Sequence, residues 1–246
     1  MEIMDLNQIS PDQVIIWQYG DLMINATLVY TWLVMALLVA GSLLLTRNLV
    51  HHGPVSRRQL LLETIAGALR QQVQDLGGAA AVVCLPFVST LFIFIFTANA
   101  LALVPGYVPP TASLSTTAAL ALSVFVAVPL YGIRRHGLWS YLKAYAHPNI
   151  FFFPLHLISE CARTIALAVR LFGNIMSHEK IIGILLSVVP LFFPAVMQVL
   201  GLVIGTIQAY IFAVLATVYI AAALNDAGDE SRPDDIQAAP TTPQGG

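Results

Sequence analysis

Residues 156–180 read HLISECARTIALAVRLFGNIMSHEK. The apolar positions recur as on a helix. The stretch nonetheless holds Glu160, Arg163, Arg170, Asn174, His178, Glu179 and Lys180. Arg170 sits between ALAV and LF. At a bilayer centre such an arginine costs roughly 2.5–3.5 kcal/mol on insertion scales. A side chain that costly inside a membrane marks a functional site.

The surroundings of this stretch are those of a membrane protein. The chain is 58% hydrophobic and 10% charged, with mean hydropathy +0.80. A soluble domain carries about 25% charged residues. The fold class expected is therefore all-α and polytopic, with about five transmembrane helices and one amphipathic interfacial helix. A net charge of −2 argues against nucleic acid as a partner and leaves the lipid bilayer as the first one. Cys84 and Cys161 have no CxxC spacing and read as small apolar residues. The N-terminus lacks a basic signal-peptide region, so the first span is expected to direct insertion.

Working outward from the polar stretch, the spans are expected at about 26–46, 82–104, 113–133, 152–189 and 195–224. Together they make a membrane domain over 26–224. Residues 1–25 contain no Lys or Arg, whereas Arg47, Arg57 and Arg58 follow the first span. The positive-inside rule then places segment 1–25 outside and residues 47–58 in the cytoplasm. Leu61, Ile65, Leu69, Val73 and Leu76 form one apolar stripe over 57–76. That stripe predicts an interfacial helix on the cytoplasmic side, with a plain connector helix as the alternative. Pro105, Pro109 and Pro110 divide the next apolar run into two spans, and Arg134, Arg135, His136 and Lys143 return the chain to the cytoplasm. Residues 189–194 form the last outer turn. The final two spans exceed the roughly 20 residues that a bilayer needs, so they are expected to be long and tilted. The acidic, Pro- and Gly-rich tail 225–246 is expected to be disordered and cytoplasmic.

On a helix, Arg163 and Arg170 fall within about 20° of each other. Asn174 and Ser177 extend the same face, and His178 is one residue further round. Glu160 lies three residues before Arg163 and can pair with it. Arg170 has Ala166, Leu167, Gly173 and Asn174 at the neighbouring helical positions. No other span offers an acid, so its counter-charge is an anion, water or a carboxylate on another subunit. Glu179 and Lys180 could equally form a polar shoulder at the outer surface. His178-Glu179 begins an HExxH pattern, but position 182 is Ile, and no zinc-protease site follows. Gln208 by itself reads as helix–helix glue.

RLFGN at 170–174, with Arg163 before it and His178-Glu179 after it, resembles subunit a of the F-type ATP synthase membrane sector. IQAYIFAVLATVYI at 207–220 resembles the last helix of that family. PPTASLSTTAALAL at 109–122 resembles its PTADLNTT segment, and the likeness extends over about 26–224. The resemblance implies a non-catalytic stator subunit in a bacterial inner membrane. It would lie beside a rotating c-subunit ring, peripheral-stalk b subunits and the other ATP synthase subunits. It also implies two ion half-channels, no catalytic residue, no cofactor and no bound metal. Arg170 matches the family's essential arginine, facing a mid-membrane carboxylate of the ring during proton (or sodium) translocation. Asn174 and Gln208 match positions beside it, and Glu179 matches the acid of the outer half-channel.

Four positions depart from the pattern. Ser113 and Ser115 replace the Asp and Asn of PTADLNTT. His156 stands where many members have a glutamate of the inner half-channel, and the nearest acid is Glu160. Gly201, seven residues before Gln208, stands where some members have His or Glu, and His178 is expected to replace that group from the neighbouring helix. The rival readings are a stand-alone secondary transporter or channel, which would show related halves, and an intramembrane enzyme, which would show a nucleophile–base pair. The sequence shows neither.

Overall fold

The computed structural model describes residues 15–19, 22–47, 57–104, 107–139, 152–188 and 192–225. The expected cytoplasmic tail beyond Asn225 and the first part of the N-terminal segment lie outside these residues.

Two short strands, β1 (Ile15–Tyr19) and β2 (Leu22–Asn25), pair antiparallel, with a register irregularity between Ile15 and Trp17. Periodicity does not foresee them. IIWQY and LMIN are rich in β-forming residues, but runs this short show no alternation from which a strand could be read. This hairpin precedes a membrane domain built from helices. Helix α1 (Ala26–Thr46) starts directly after Asn25, whose extended backbone ends the strand. Trp32, Leu43 and Leu44 on α1 are exposed, as suits a helix that is apolar all round and meets lipid.

Helix α2 (Arg57–Ala81) ends beyond its predicted stripe, with a non-helical Gly78 at φ 74° inside it. Val73 is buried, while Ile65 and Leu76 are exposed, so protein leaves part of the stripe uncovered. The α2 end docks where Gly77 approaches the last helix. A Cβ at Gly77 would lie 2.8 Å from Ala221 Cβ.

Helix α3 (Leu85–Ala100) is flanked by 3₁₀ turns at Val82–Cys84 and Leu101–Leu103. Helix α4 (Leu114–His136) ends in Arg134, Arg135 and His136, and Gly137 at φ 82° closes it by donating its N–H to Ile133 O at 2.8 Å. Helix α5 (Phe152–Val188) has 37 residues and carries the polar stretch. Helix α6 (Phe192–Asn225) has 34 residues. At 1.5 Å per residue both exceed about 50 Å, against a hydrocarbon core of about 30 Å. Pro194, expected in the turn, lies inside the first turn of α6 instead. That position has no intrahelical N–H bond to lose.

Among the described residues four stretches are long and apolar enough to cross a membrane: Ala26–Leu45, Leu62–Leu103, Leu114–His136 and Phe193–Asn225. Helix α5, expected as a further span, is not one of them, because its polar and charged residues interrupt the apolar run. Helix α6 is central, packing against α2, α3, α4 and α5. Phe212 and Ile220 of α6, Ile95 of α3, Val124 of α4 and Leu171 of α5 are fully buried. Ala209, Ala213 and Ala216 line the buried side of α6, where small residues let helices approach closely. The α4 and α6 C-termini are tied together: His136 Nε2 lies 2.8 Å from Leu224 O.

Candidate functional site

The polar stretch of α5 divides into three groups along the helix, set by which way each side chain turns. Arg170 is exposed, and so are Asn174 and Ser177. Leu167, Ala168, Leu171 and Ile175 are the buried residues of the same turns. The apolar side of α5 thus packs inward and turns the guanidinium out of the protein. On the neighbouring α6, Val203, Ile207 and Tyr210 are exposed as well. Among the described residues no carboxylate pairs with Arg170.

Behind this uncovered face, Asn174 Nδ2 donates to Gln208 Oε1 at 2.8 Å. Gln208 is only 3% exposed. The bond therefore joins the arginine-bearing turn of α5 to the interior of α6. A buried amide would otherwise lack a partner at a cost of about 1–3 kcal/mol, so the pair fixes the register of the two helices beside Arg170.

Just over two turns beyond Arg170 toward the C-terminus of α5, His178 and Glu179 line a small cleft with Asn99, Gln198 and Gly201. Gly201 is what makes room for the imidazole. A Cβ there would sit 2.5 Å from His178 Cδ2 and 2.6 Å from Cε1. His178 therefore fills the space that a side chain at 201 would take. The cleft wall is held by Asn99, whose Nδ2 donates to Gly205 O at 3.1 Å and whose Oδ1 accepts from Thr111 Oγ1 at 2.7 Å. Gln198 Nε2 donates to Ala102 O at 2.9 Å. Asn99, Thr111 and Gln198 are assigned no role in the site by the sequence. The usable signal was GLVIG at 201–205, a small-xxx-small spacing that marks close helix contact. Ser113 and Ser115, the departures in the 109–122 segment, hold each other at 2.7 Å (Oγ–Oγ).

In the other direction along α5, Glu160 Oε2 lies 3.5 Å from Arg163 Nη1. The guanidinium also stands over the Tyr219 ring of α6, 5.4 Å from its centroid. His156 is exposed one turn earlier. The structure thus brings Asn174 to Gln208, His178 to Glu179 and the cleft, and Glu160 to Arg163. It leaves Arg170 between these groups. At 1.5 Å per residue, Arg170 is about 12 Å along the axis from His178 and about 15 Å from Glu160.

These features define a helical, multi-pass membrane protein with a cation on an uncovered helix face, one that has no ion-pair partner among the described residues. Residues 28–221 match the family model described as ATP synthase A chain. The chain is 56% identical over 215 residues to ATP synthase subunit a 2 of Acaryochloris marina, covering 87% of this chain and 92% of that one. It is 55% identical to ATP synthase subunit a 1 of Prosthecochloris aestuarii, covering 87% and 96%. It is 51% identical to ATP synthase subunit a of Nitrosospira multiformis over 227 residues, covering 92% and 90%. The chain belongs to the ATP synthase A chain family and is a component of an ATP synthase in a membrane.

Proposed function

We propose that this chain is the stator that passes ions to and from a rotating ring of c subunits through two half-channels. The observation that carries the reading is the placement of Arg170. It lies on an uncovered apolar face, with no acid paired to it among the described residues, backed by the Asn174–Gln208 bond. A cation so placed is stabilised by an anion from another subunit. A mid-membrane carboxylate on the ring meets that need. Lipid raises the pKa of such a carboxylate, and a guanidinium a few ångströms away lowers it. Each ring site would release its ion on meeting Arg170 and take one up again before returning to lipid.

The two polar groups that flank Arg170 suit the two access paths. His178, Glu179, Asn99 and Gln198 would form the outer path, with His178 occupying the space left by Gly201. Glu160, with Arg163 and His156 near it, would form the inner path. About 12–15 Å of helix separates each from Arg170, so an ion would cross between them only on the ring. The membrane potential contributes roughly 2.3 kcal/mol per charge per 100 mV to this cycle. The N-terminus would lie outside and the C-terminus in the cytoplasm. Peripheral-stalk b subunits would hold the chain against the ring's torque.

The complex purified through this chain should contain a small two-helix proteolipid with a mid-membrane Glu or Asp. Vesicles holding the complex should then pump ions on adding ATP, and comparing rates with and without sodium at fixed pH names the ion. Solute transport by the purified chain alone would instead support a stand-alone transporter.

A further inference from the structure

The Glu160–Arg163–Tyr219 cluster is not explained by charge neutralisation alone. A relaxed guanidinium–carboxylate bond is about 2.7–2.9 Å long. Here Arg163 Nη1 stands 3.5 Å from Glu160 Oε2 while the same guanidinium lies over the Tyr219 ring at 5.4 Å. The cation is shared between a carboxylate on its own helix and a π-face on α6. The two partners of the ion pair also differ in exposure: the Arg163 side chain is 48% exposed and that of Glu160 only 13%. Glu160 is therefore the inward group and Arg163 the outward one. Other charged groups at this end of the bundle include Arg134, Arg135 and His136, which close α4, His156 one turn earlier on α5, and Asp75 on α2, which packs on α6 where Gly77 meets Ala221. His136 Nε2 lies 2.8 Å from Leu224 O. Among the described residues, Arg163 forms an ion pair with the Glu160 carboxylate.

From this geometry we infer that Arg163 is a competing cation that sets how tightly Glu160 takes up the translocated ion from the inner side, and that Tyr219 sets the strength of the competition by drawing the guanidinium off the carboxylate. The inference rests on the stator reading above. When an ion arrives at Glu160, Arg163 gives up its pairing and is retained by the ring of Tyr219. When the ion moves on, the guanidinium returns. The carboxylate is thus never left buried without a partner, which would be costly. Arg163 and Tyr219 are positioning residues here, since neither needs to touch the ion.

The two partners predict shifts of opposite sign. Arg163→Gln removes the competitor, so apparent ion affinity at the inner side should rise roughly three- to tenfold, at or below the low end of the range for losing a neighbouring opposite charge, because solvent screens a half-exposed Arg163. Tyr219→Leu removes the π-face, leaves Arg163 fully on Glu160, and should weaken inner-side affinity by about twofold or more. Tyr219→Phe keeps the ring and should shift it less than Tyr219→Leu. Arg163→Lys keeps a cation and should shift it less than Arg163→Gln.

The measurement uses the whole complex in inverted vesicles. Initial rates of ATP-driven pumping are titrated with sodium at fixed pH, or with pH where sodium has no effect. This loads ions from the inner side. Synthesis driven by an imposed gradient loads them from the outer side and supplies the control constant. Opposite shifts of the inner constant, with the outer constant unmoved, support the inference. Shifts of the same sign, equal shifts on both sides, or no shift overturn it. If Arg163→Gln fails to assemble, the Tyr219→Leu and Tyr219→Phe pair decides alone. Arg170→Ala is run alongside, because full pumping by that variant would overturn the stator reading itself rather than this inference.

Discussion

Replacing Arg170 with alanine is expected to abolish coupled ATP synthesis and ion-driven rotation while the complex still assembles. The side chain is exposed and makes no ion pair among the described residues, so its removal leaves no buried group unpaired within this chain. It also relieves the cost of a charge in lipid. Function should fail for an electrostatic reason. A neighbouring opposite charge lowers a carboxylate pKa by about 1–3 units, or roughly 10- to 1,000-fold in ion release. Without it a ring site passes the stator still loaded, and coupled turnover should drop by about 10- to 1,000-fold. Arg170→Lys keeps the charge but loses the planar fork, so it should recover little. The check is ATP synthesis under an imposed ion gradient, normalised to assembled complex. Full coupled activity in Arg170→Ala would remove Arg170 from the mechanism.

The second large effect concerns the outer cleft. His178 occupies the volume that a side chain at Gly201 would need. Gly201→His puts two imidazoles into one space. One ring must swing away, at an overpacking cost of about 1–3 kcal/mol. His178→Gly removes the polar ring and leaves the cleft to Glu179, Asn99 and Gln198. Each single variant should slow gradient-driven synthesis about tenfold or more, at the low end of what a positioned proton-transfer group supplies. The double variant His178→Gly with Gly201→His restores one imidazole in the same volume from the opposite helix. It should recover to within about threefold of the wild type, a strongly non-additive result for two contacting positions. Additive losses in the double variant would show that the two residues do not share one place.

The helices are legible in the sequence because each carries its own signal. Apolar length gives α1, α4 and α6, the prolines divide α3 from α4, and the spacing of Arg163, Arg170, Asn174 and Ser177 gives the uncovered face of α5. The hairpin at 15–25 is not legible, since its strands are too short for a period of two to show. Contacts between helices are only partly so. A replacement of the lost group at 201 by His178 is a readable expectation once the family pattern is laid over the chain. The Asn99–Gly205 bond, the Gln198–Ala102 bond and the stacking of Arg163 on Tyr219 depend on the rotation and axial register of one helix against another. The periodicity of a single helix does not contain that register. The start of α6 at Phe192 shows the same limit, because a proline in a first turn and a proline in a loop read alike.

The central claim is that a carboxylate of another subunit passes across the face that carries Arg170. Disulfide formation tests it most directly. Cys84 and Cys161 are first replaced, and single cysteines are introduced as Asn174→Cys and Ile207→Cys on the exposed face and as Phe212→Cys in the buried core. Each is paired with a cysteine one helical turn from the ring carboxylate. The account predicts ring cross-links from positions 174 and 207 and none from 212. Cross-linking from 212 as strong as from the other two, or none from 174 and 207, would contradict it.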